Sequence, residues 1–246
     1  MYNKNTAFKG EIKKFNISLK SILRIMALFV SPLVVFSISA LPSILIVGSF
    51  LHFFKGIWLI ELIILPFILF IAFFILVIWT PLFSGYFIKS FNIQYDEGVY
   101  KKSIEDKNTF KFALHFILYR PTINLMKALH IPPLYKKYMR LVGAKIGKNV
   151  FFASRLNIAD PCVTEIGDNT LIGGGASILA HLGENDLIVK KVKIGKNCLV
   201  GGESYIMPGV TMEEGAILGG KSLATKNMTL KKEKMYGGVP AKEIKK

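Results

Sequence analysis

The sequence predicts an α + β protein with an N-terminal transmembrane helical hairpin plus an amphipathic helix, followed by a C-terminal parallel β-helix. Two observations carry this prediction. Two long apolar runs lie within residues 25–83, and aliphatic residues recur every six positions in the C-terminal part of the chain. A period of six matches neither an amphipathic helix nor an alternating strand, so it indicates a repeat architecture.

Each apolar run is long enough to cross a bilayer. Residues 25–51 carry no charge, and the run from about 57 to 83 has Glu61 as its one charged residue. A helix needs about 20 apolar residues to span the hydrocarbon core. Trp58 and Trp79 bracket the second run as interfacial anchors do. Four prolines in or beside the runs leave broken or re-entrant segments as an alternative.

The distribution of positive charge predicts the orientation of the hairpin. The formal net charge is +16, from 32 Lys and Arg against 16 Asp and Glu. Both flanks of the apolar region are basic, whereas the break between the two runs carries only Lys55. Both termini and the C-terminal half are therefore expected on the cytoplasmic side of the cell membrane.

The basic residues do not indicate nucleic acid as a partner. They are scattered as short pairs along the chain, without a basic helix that interleaves aromatic residues and without zinc-finger spacing. Anionic lipid headgroups beside the membrane segments are one explanation of the charge. Ordinary solvated surfaces are the other.

Changes in composition predict the domain boundaries. The expected units are a basic cytoplasmic segment at 1–24, two transmembrane helices at 25–83, a connector with an amphipathic helix at 84–140, and a repeat domain at 141–246. Within the connector, helical spacing of apolar residues predicts the amphipathic helix over 108–131. Pro121 is expected to break or kink that helix, and Pro132-Pro133 to stop it.

The repeat unit is an aliphatic residue, usually followed by glycine, and then four further positions. Clear units begin at Ile146, Ile166, Ile172, Ile194, Val200, Ile206, Met212 and Leu218. One aliphatic side chain per six residues can stack in a narrow core, while Gly and Asn supply the corner conformations. Three hexapeptides then form one coil of about eighteen residues.

The repeat loses its phase twice, within 155–165 and within 181–193. Both interruptions predict segments that leave the regular coil. Segments held on a rigid scaffold in this way often carry functional residues.

Cysteine and metal chemistry are not indicated. Cys162 and Cys198 lie inside repeat sequence and are predicted to be buried small residues in a reducing compartment. The chain has no CxxC, HxxxH or P-loop pattern, so no metal site is expected. His52, His115 and His130 are interpreted as interfacial or structural.

The repeats, His181 at the start of the second interruption, and the closing sequence YGGVPAKEI at 236–244 resemble the left-handed β-helix acyltransferase superfamily. The resemblance covers about residues 141–244. Residues 163–186 and 194–212 also resemble the membrane-associated terminal region of poly-lysine-synthetase-like peptide synthetases. The acyltransferase resemblance implies a left-handed coil, a homotrimer with active sites between neighbouring coils, and acetyl-CoA or another acyl-CoA as co-substrate.

His181 is the predicted general base. It is the sole histidine after His130, and an acceptor hydroxyl or amine must lose a proton as it attacks a thioester. Glu184 is the predicted partner that orients the imidazole or contacts the acceptor. Asn157 and Asp160 in the first interruption are weaker candidates for acceptor contacts. The alternative for each is a solvated or packing role.

The resemblance also implies cofactor contacts. The segment GGKSLATKNM at 219–228 resembles the family's Gly-Ser-Val-Val-Thr-Lys pattern, which assigns CoA contacts to Ser222, Thr225 and Lys226. Lys242 is expected to meet the 3′-phosphate. Gly201 and Gly219 are candidates for backbone that a ligand approaches closely. They could equally be corner glycines that the coil requires.

Three functions stay open at this level. The first is a membrane-anchored acyltransferase, most simply an acetyltransferase, that acts on a membrane-associated acceptor. The second is a non-catalytic β-helix scaffold, because repeat solenoids can serve only in assembly. The third is a peptide-bond-forming module related to poly-amino-acid synthesis, which would need an aminoacyl carrier partner.

Overall fold

The computed structural model of the protein describes residues 18–127, 129 and 131–245. Most of the predicted basic segment at 1–24, together with His130, lies outside the described residues. The helices are α1 (Leu19–Phe53), α2 (Trp58–Ser90), α3 (Lys107–Met126) and α4 (Pro132–Leu141), with strand β1 (Gly98–Tyr100) between α2 and α3.

Short strands follow α4. They are β2 (Lys145–Ile146), β3 (Phe151–Phe152), β4 (Asn157–Ile158), β5 (Thr164–Ile166), β6 (Leu171–Ile172), β7 (Ser177–Ile178), β8 (His181–Gly183), β9 (Leu187–Val189), β10 (Val192–Ile194), β11 (Leu199–Val200), β12 (Tyr205–Ile206), β13 (Thr211–Met212), β14 (Ile217–Leu218), β15 (Leu223–Ala224), β16 (Thr229–Leu230), β17 (Met235–Gly237) and β18 (Lys242–Glu243). A 3-10 turn (Pro161–Val163) lies between β4 and β5.

Helices α1 and α2 form a hairpin of two apolar helices. Each is long and apolar enough to cross a membrane, and little of each helix is buried. Both run without interruption through the prolines that they contain, so neither helix is broken there. In a long helix, neighbouring helices and side chains compensate for the single backbone hydrogen bond that a proline removes.

The connector differs from its prediction in two respects. Pro121 does not break helix α3, because buried residues on both sides of the proline, such as Leu118 and Ile123, hold it against its neighbours. Pro132-Pro133 begins α4 rather than ending the preceding helix. Proline suits the first turn of a helix, where the missing N–H would have no partner and φ is already helical.

The repeat region forms a three-sided parallel β-helix. One side is β2-β5-β10-β13-β16, the second is β3-β6-β11-β14-β17, to which β18 adds in antiparallel orientation, and the third is β4-β7-β12-β15. The predicted repeat residues pair in register from coil to coil, as from Ile194 to Met212 and from Val200 to Leu218. Their side chains are buried. Burial of each such side chain contributes about 1.5–3 kcal/mol.

The first coil is more complete than the visible repeat suggests. Phe152 and Ile158 occupy inward positions equivalent to Ile172 and Ile178. They were missed because the residues after them do not follow the Ile-Gly pattern. The left-handedness of the coil stays a prediction.

Asparagine supplies many of the corners. Residues Asn149, Asn169, Asn197 and Asn227 all have φ between 54 and 61°. This left-handed conformation is accessible to Asn and Gly at lower cost than to other residues, because their side chains avoid or compensate the Cβ clash. The predicted role of Asn at the corners is confirmed.

Replacing a corner asparagine by alanine should therefore destabilise the coil. We expect Asn197→Ala to lower the free energy of unfolding by about 1–2 kcal/mol, the cost of placing a Cβ in the left-handed region. Asn197→Gly should cost less than half as much. Thermal unfolding of the full chain in detergent, followed by circular dichroism, checks this. Equal losses for the two variants would contradict the conformational explanation.

Both phase breaks correspond to real departures from the coil. Ile146 pairs with Ile166, two residues more than the regular spacing from Ile194 to Met212, and the 3-10 turn occupies this break. The second break is an antiparallel hairpin formed by β8 and β9. Strand β1 joins β9 as a third strand, so the connector after α2 is attached to the hairpin that carries His181.

Candidate active site

The two phase breaks meet in a buried Asp–His pair. Nδ1 of His181 lies 2.8 Å from both carboxylate oxygens of Asp160. Asp160 is fully buried, and its carboxylate also accepts hydrogen bonds from the Ala180 N–H and the Tyr95 hydroxyl, each at 2.8 Å. An ionised carboxylate can only accept, so we assign the hydrogen to Nδ1 of His181. The lone pair of Nε2 then remains for proton abstraction.

The register of the coil explains why these residues meet. Ile158 pairs with Ile178 across β4 and β7. Asp160 lies two positions after Ile158, and Ala180 lies two positions after Ile178. The two residues are therefore neighbours where both segments leave this side of the β-helix. The same parallel ladder that builds the core thus places a carboxylate beside the first residue of the hairpin.

The connector and α3 complete the surroundings of His181. The ring of Phe112 packs edge-on against the imidazole, with 4.9 Å between the ring centroids. Burial raises the pKa of Tyr95 well above its usual range, and the neighbouring Asp160 carboxylate adds to this rise, so the phenol stays a hydrogen-bond donor. The imidazole itself is 23% exposed. The base is therefore held at Nδ1, and its ring is partly exposed.

His115 is structural, as predicted. It is fully buried, and a ring nitrogen, Nε2, lies 3.1 Å from the Val142 carbonyl oxygen. Burial lowers its pKa to about 4, so the ring is neutral at physiological pH. A fully buried imidazole cannot take a proton from an acceptor that arrives from solution.

The structure does not bring the Glu184 carboxylate to His181, and the predicted contact of Glu184 with the acceptor stays a prediction. Its carboxylate oxygen Oε1 lies 3.0 Å from Nζ of Lys226, two coils further along. Asp160 instead holds the imidazole. Glu184 is exposed near the tip of the hairpin, where the cation of Lys226 is the nearest strong partner, and its backbone oxygen contacts Lys102.

Because Glu184 does not touch the base, Glu184→Gln should have little effect on catalysis. An exposed ion pair contributes about 0–1 kcal/mol, so we expect the rate of acyl transfer to fall by less than about fivefold. Steady-state kinetics with acetyl-CoA measures this. A loss of about a hundredfold or more would restore Glu184 as the partner of the base.

The structure brings two of the predicted cofactor residues to the corner where the His181 hairpin begins. Ala224 pairs with Ile206, which pairs with Ile178. Thr225 and Lys226 come directly after Ala224, and the hairpin begins shortly after Ile178. Both segments therefore start from the same side of the β-helix, and the Lys226–Glu184 ion pair joins them.

The other predicted cofactor residues are used within the coil. The Gly201 and Gly219 amides donate to the carbonyl oxygens of Leu218 and Tyr236 in the next turn, so neither N–H is free for a phosphate. A Cβ at Gly201 would collide with the Gly219–Gly220 backbone. The stacking of coils therefore requires glycine at position 201, and the predicted ligand contacts of both glycines stay predictions.

Ser222 is also structural. Its hydroxyl accepts a hydrogen bond from the Gly238 N–H at 3.0 Å and donates to the Gly220 carbonyl oxygen at 3.2 Å. The residue is only 3% exposed and its hydroxyl is already paired, and its contact with CoA stays a prediction. Lys242 is exposed in β18, on the side of the β-helix built from β14 and β17, and the structure does not bring it to the His181 corner.

Neither thiol is a nucleophile candidate. Burial raises the pKa of Cys162 to about 12 and also raises that of Cys198, and both cysteines are free. Within the described ranges, no group of three or more His, Cys, Asp or Glu residues is arranged to hold a metal ion.

Comparison with known proteins agrees with the repeat assignment. The family model described as the hexapeptide repeat of succinyl-transferase matches residues 163–187 and 191–220. The galactoside O-acetyltransferase of Escherichia coli (strain K12) is 30% identical over 122 residues, which cover 46% of this chain and 58% of that protein. The protein YvoF of Bacillus subtilis (strain 168) is 33% identical over 98 residues, 39% of this chain and 55% of that protein.

Among solved structures, a hexapeptide-repeat acetyltransferase of Vibrio cholerae in complex with acetyl coenzyme A is 22% identical. The aligned region covers 42% of this chain and 60% of that chain, with a TM-score of 0.40. The chain spans little more than half the length of the curated relatives it matches. Together the family model and the relatives support placing the coil with the hexapeptide-repeat acetyltransferases. The similarity to the poly-lysine-synthetase-like region stays a prediction.

Proposed function

We propose that the chain is a membrane-anchored, CoA-dependent acyltransferase, most simply an acetyltransferase, with His181 as its general base. The observation that carries the proposal is the Asp160–His181 pair, which leaves one imidazole nitrogen available at a partly exposed corner of the coil. The acetyltransferase relatives supply the reaction class.

The proposed reaction needs one base that can also return its proton. Nε2 of His181 takes the proton from the acceptor hydroxyl or amine as that group attacks the thioester carbon. The carbon–sulfur bond then breaks, and the imidazolium gives its proton to the departing CoA thiolate. The Asp160 carboxylate stabilises the imidazolium and holds the ring in one orientation.

CoA is proposed to lie along the corner that carries Thr225 and Lys226. Lys226 offers a cation to a phosphate, and its ion pair with Glu184 can exchange for that contact because both side chains are partly exposed. Lys242 stays a candidate for the 3′-phosphate. A homotrimer belongs to the proposal, since sites between neighbouring coils would let a second copy contribute such a residue.

The hairpin of α1 and α2 is proposed to anchor the protein in the cell membrane, with both termini and the coil in the cytoplasm. The helices are apolar and little of either is buried, which suits lipid surroundings better than water. CoA is available on the cytoplasmic side, and the anchor suits an acceptor that is lipid-linked or made at the membrane.

Transfer of radiolabel from acetyl-CoA to a membrane extract tests the proposal. We expect CoA-dependent labelling of an acceptor by the full chain in detergent, and calorimetry should show CoA binding. A chain that neither binds CoA nor labels any acceptor would instead be a scaffold. Amide oligomers as products would indicate the peptide-bond-forming alternative.

A further inference from the structure

A basic cleft lies outside the candidate active site, between the end of α2, helix α4 and the first coil. Its volume is about 600 Å³. The residues of its lining that matter here are Lys89, Lys136, Lys137, Arg140, the Pro132-Pro133 pair and Phe151. Four of them are basic and none is acidic. We refer to this feature as the basic cleft.

The charge of the basic cleft is partly fixed in place. The Arg140 guanidinium donates to the carbonyl oxygens of Ile146 and Gly147, at 2.9 Å from Nη2 to each, which holds this cation beside the first coil at the edge of the cleft. Those partners are neutral, so they do not cancel the charge. Like charges gathered in one concave site raise its affinity for an anion.

The rest of the lining is apolar. Phe151 is exposed, and Pro132 and Pro133 form a further apolar surface at the start of α4. A small inorganic anion would leave this surface in contact with water. A molecule that combines an anionic group with hydrocarbon satisfies both parts of the lining.

The position of the basic cleft matches a membrane surface. Lys89 lies 31 residues after Trp58 in the same helix (89 − 58), a rise of about 46 Å at about 1.5 Å per residue. A bilayer with its headgroup regions is about 40–45 Å thick. With Trp58 and Trp79 at the two edges of the hydrocarbon core, Lys89 lies on the cytoplasmic side, about 15 Å along the helix beyond Trp79. Exposed Tyr86 and Phe91 flank Lys89, as aromatic residues do at such a boundary.

We propose that the basic cleft binds the headgroup of an anionic phospholipid from the cytoplasmic leaflet. This inference rests on the membrane anchoring in the proposed function, but not on catalysis. The lysines contact the phosphate, and the apolar lining contacts the start of the acyl chains. Binding would fix the angle between the membrane helices and the coil.

Native mass spectrometry of the full chain in detergent with equal amounts of phosphatidylglycerol and phosphatidylcholine tests the proposal. We expect preferential retention of phosphatidylglycerol, and we expect the combined variant K89Q/K136Q/K137Q to lose this preference at least fivefold. The matched control K221Q/K232Q/K234Q removes the same charge from exposed lysines of the last coils and should retain the preference. The lipid site would be overturned if the wild type showed no preference for phosphatidylglycerol, or if both variants lost this preference equally.

Two further readouts separate the possible failures. Displacement of the lipid by millimolar glycerol 3-phosphate would show that the cleft takes a free phosphate and would overturn the lipid assignment. CoA affinity and acyl transfer of K89Q/K136Q/K137Q in detergent should equal those of the wild type, so their loss would place the cleft in the reaction instead. Release of the wild-type chain from membranes by alkaline carbonate would refute the anchor independently of lipid binding.

Discussion

Replacing His181 by alanine should lower the turnover of acyl transfer by about 10²–10⁴-fold, the usual contribution of a positioned general base. The acceptor would have to attack while still carrying its proton. Affinity for CoA should change little, since the imidazole acts on the acceptor. Steady-state rates with labelled acetyl-CoA, together with calorimetric CoA binding, provide the two measurements.

A matched control is available in the same chain. His52 is exposed at the end of α1, far along the chain from the coil, so His52→Ala should leave transfer unchanged. The melting temperature of His181→Ala shows whether the coil is intact. If a folded His181→Ala chain transfers the acyl group at a rate within about threefold of wild type, His181 is not the general base.

The second large effect concerns the carboxylate that holds the base. Asp160→Asn replaces one acceptor oxygen by an NH₂ donor. The Ala180 N–H needs the remaining oxygen, so the new NH₂ group faces Nδ1 of His181. Nδ1 lies 2.8 Å from both side-chain positions, so the NH₂ group competes with the retained oxygen for Nδ1 and favours the tautomer with its hydrogen on Nε2. The neutral amide also no longer stabilises the imidazolium that forms during the reaction. We expect turnover to fall by roughly 10²–10⁴-fold.

The kinetic pattern distinguishes this role from a purely structural one. Because Asp160 acts through His181, the loss should fall on kcat, while KM for acetyl-CoA stays near the wild-type value. Asp186→Asn makes the same isosteric change within the hairpin turn and should be nearly silent. Equal losses in both variants, or a loss confined to KM, would contradict the role of Asp160.

The architecture was largely predictable because its signals are periodic. Runs such as residues 25–51 exceed the length that a bilayer needs, and the six-residue spacing from Ile194 onward places each aliphatic residue in the core. The phase breaks were equally visible, because residues inserted between two coils shift the six-residue spacing of the aliphatic positions. Helix α4 was missed because Pro132-Pro133 was interpreted as a stop, although proline also favours a first helical turn.

The partner of His181 was harder to predict. Glu184 is near in sequence, but Asp160 is near in space because coils stack at a spacing of about eighteen to twenty residues. Had Ile158 been recognised as a core residue of the first coil, the stacking of coils would have placed Asp160 beside Ala180 and His181. The contribution of Tyr95 depends on how the connector packs on the coil, and no periodic pattern encodes that contact.

The glycines show a different limit of sequence reasoning. A pattern match does not separate glycine that a ligand approaches from glycine that the next coil approaches. At Gly201 the neighbouring backbone fills the space, and the amide is already paired.

A structure of the full chain with CoA bound tests the central claim most directly. We predict that the CoA sulfur lies at the corner formed by the hairpin and Lys226, with the acceptor position within hydrogen-bond reach of Nε2 of His181. CoA bound on another side of the β-helix, with its sulfur remote from His181, would contradict the assignment of the active site.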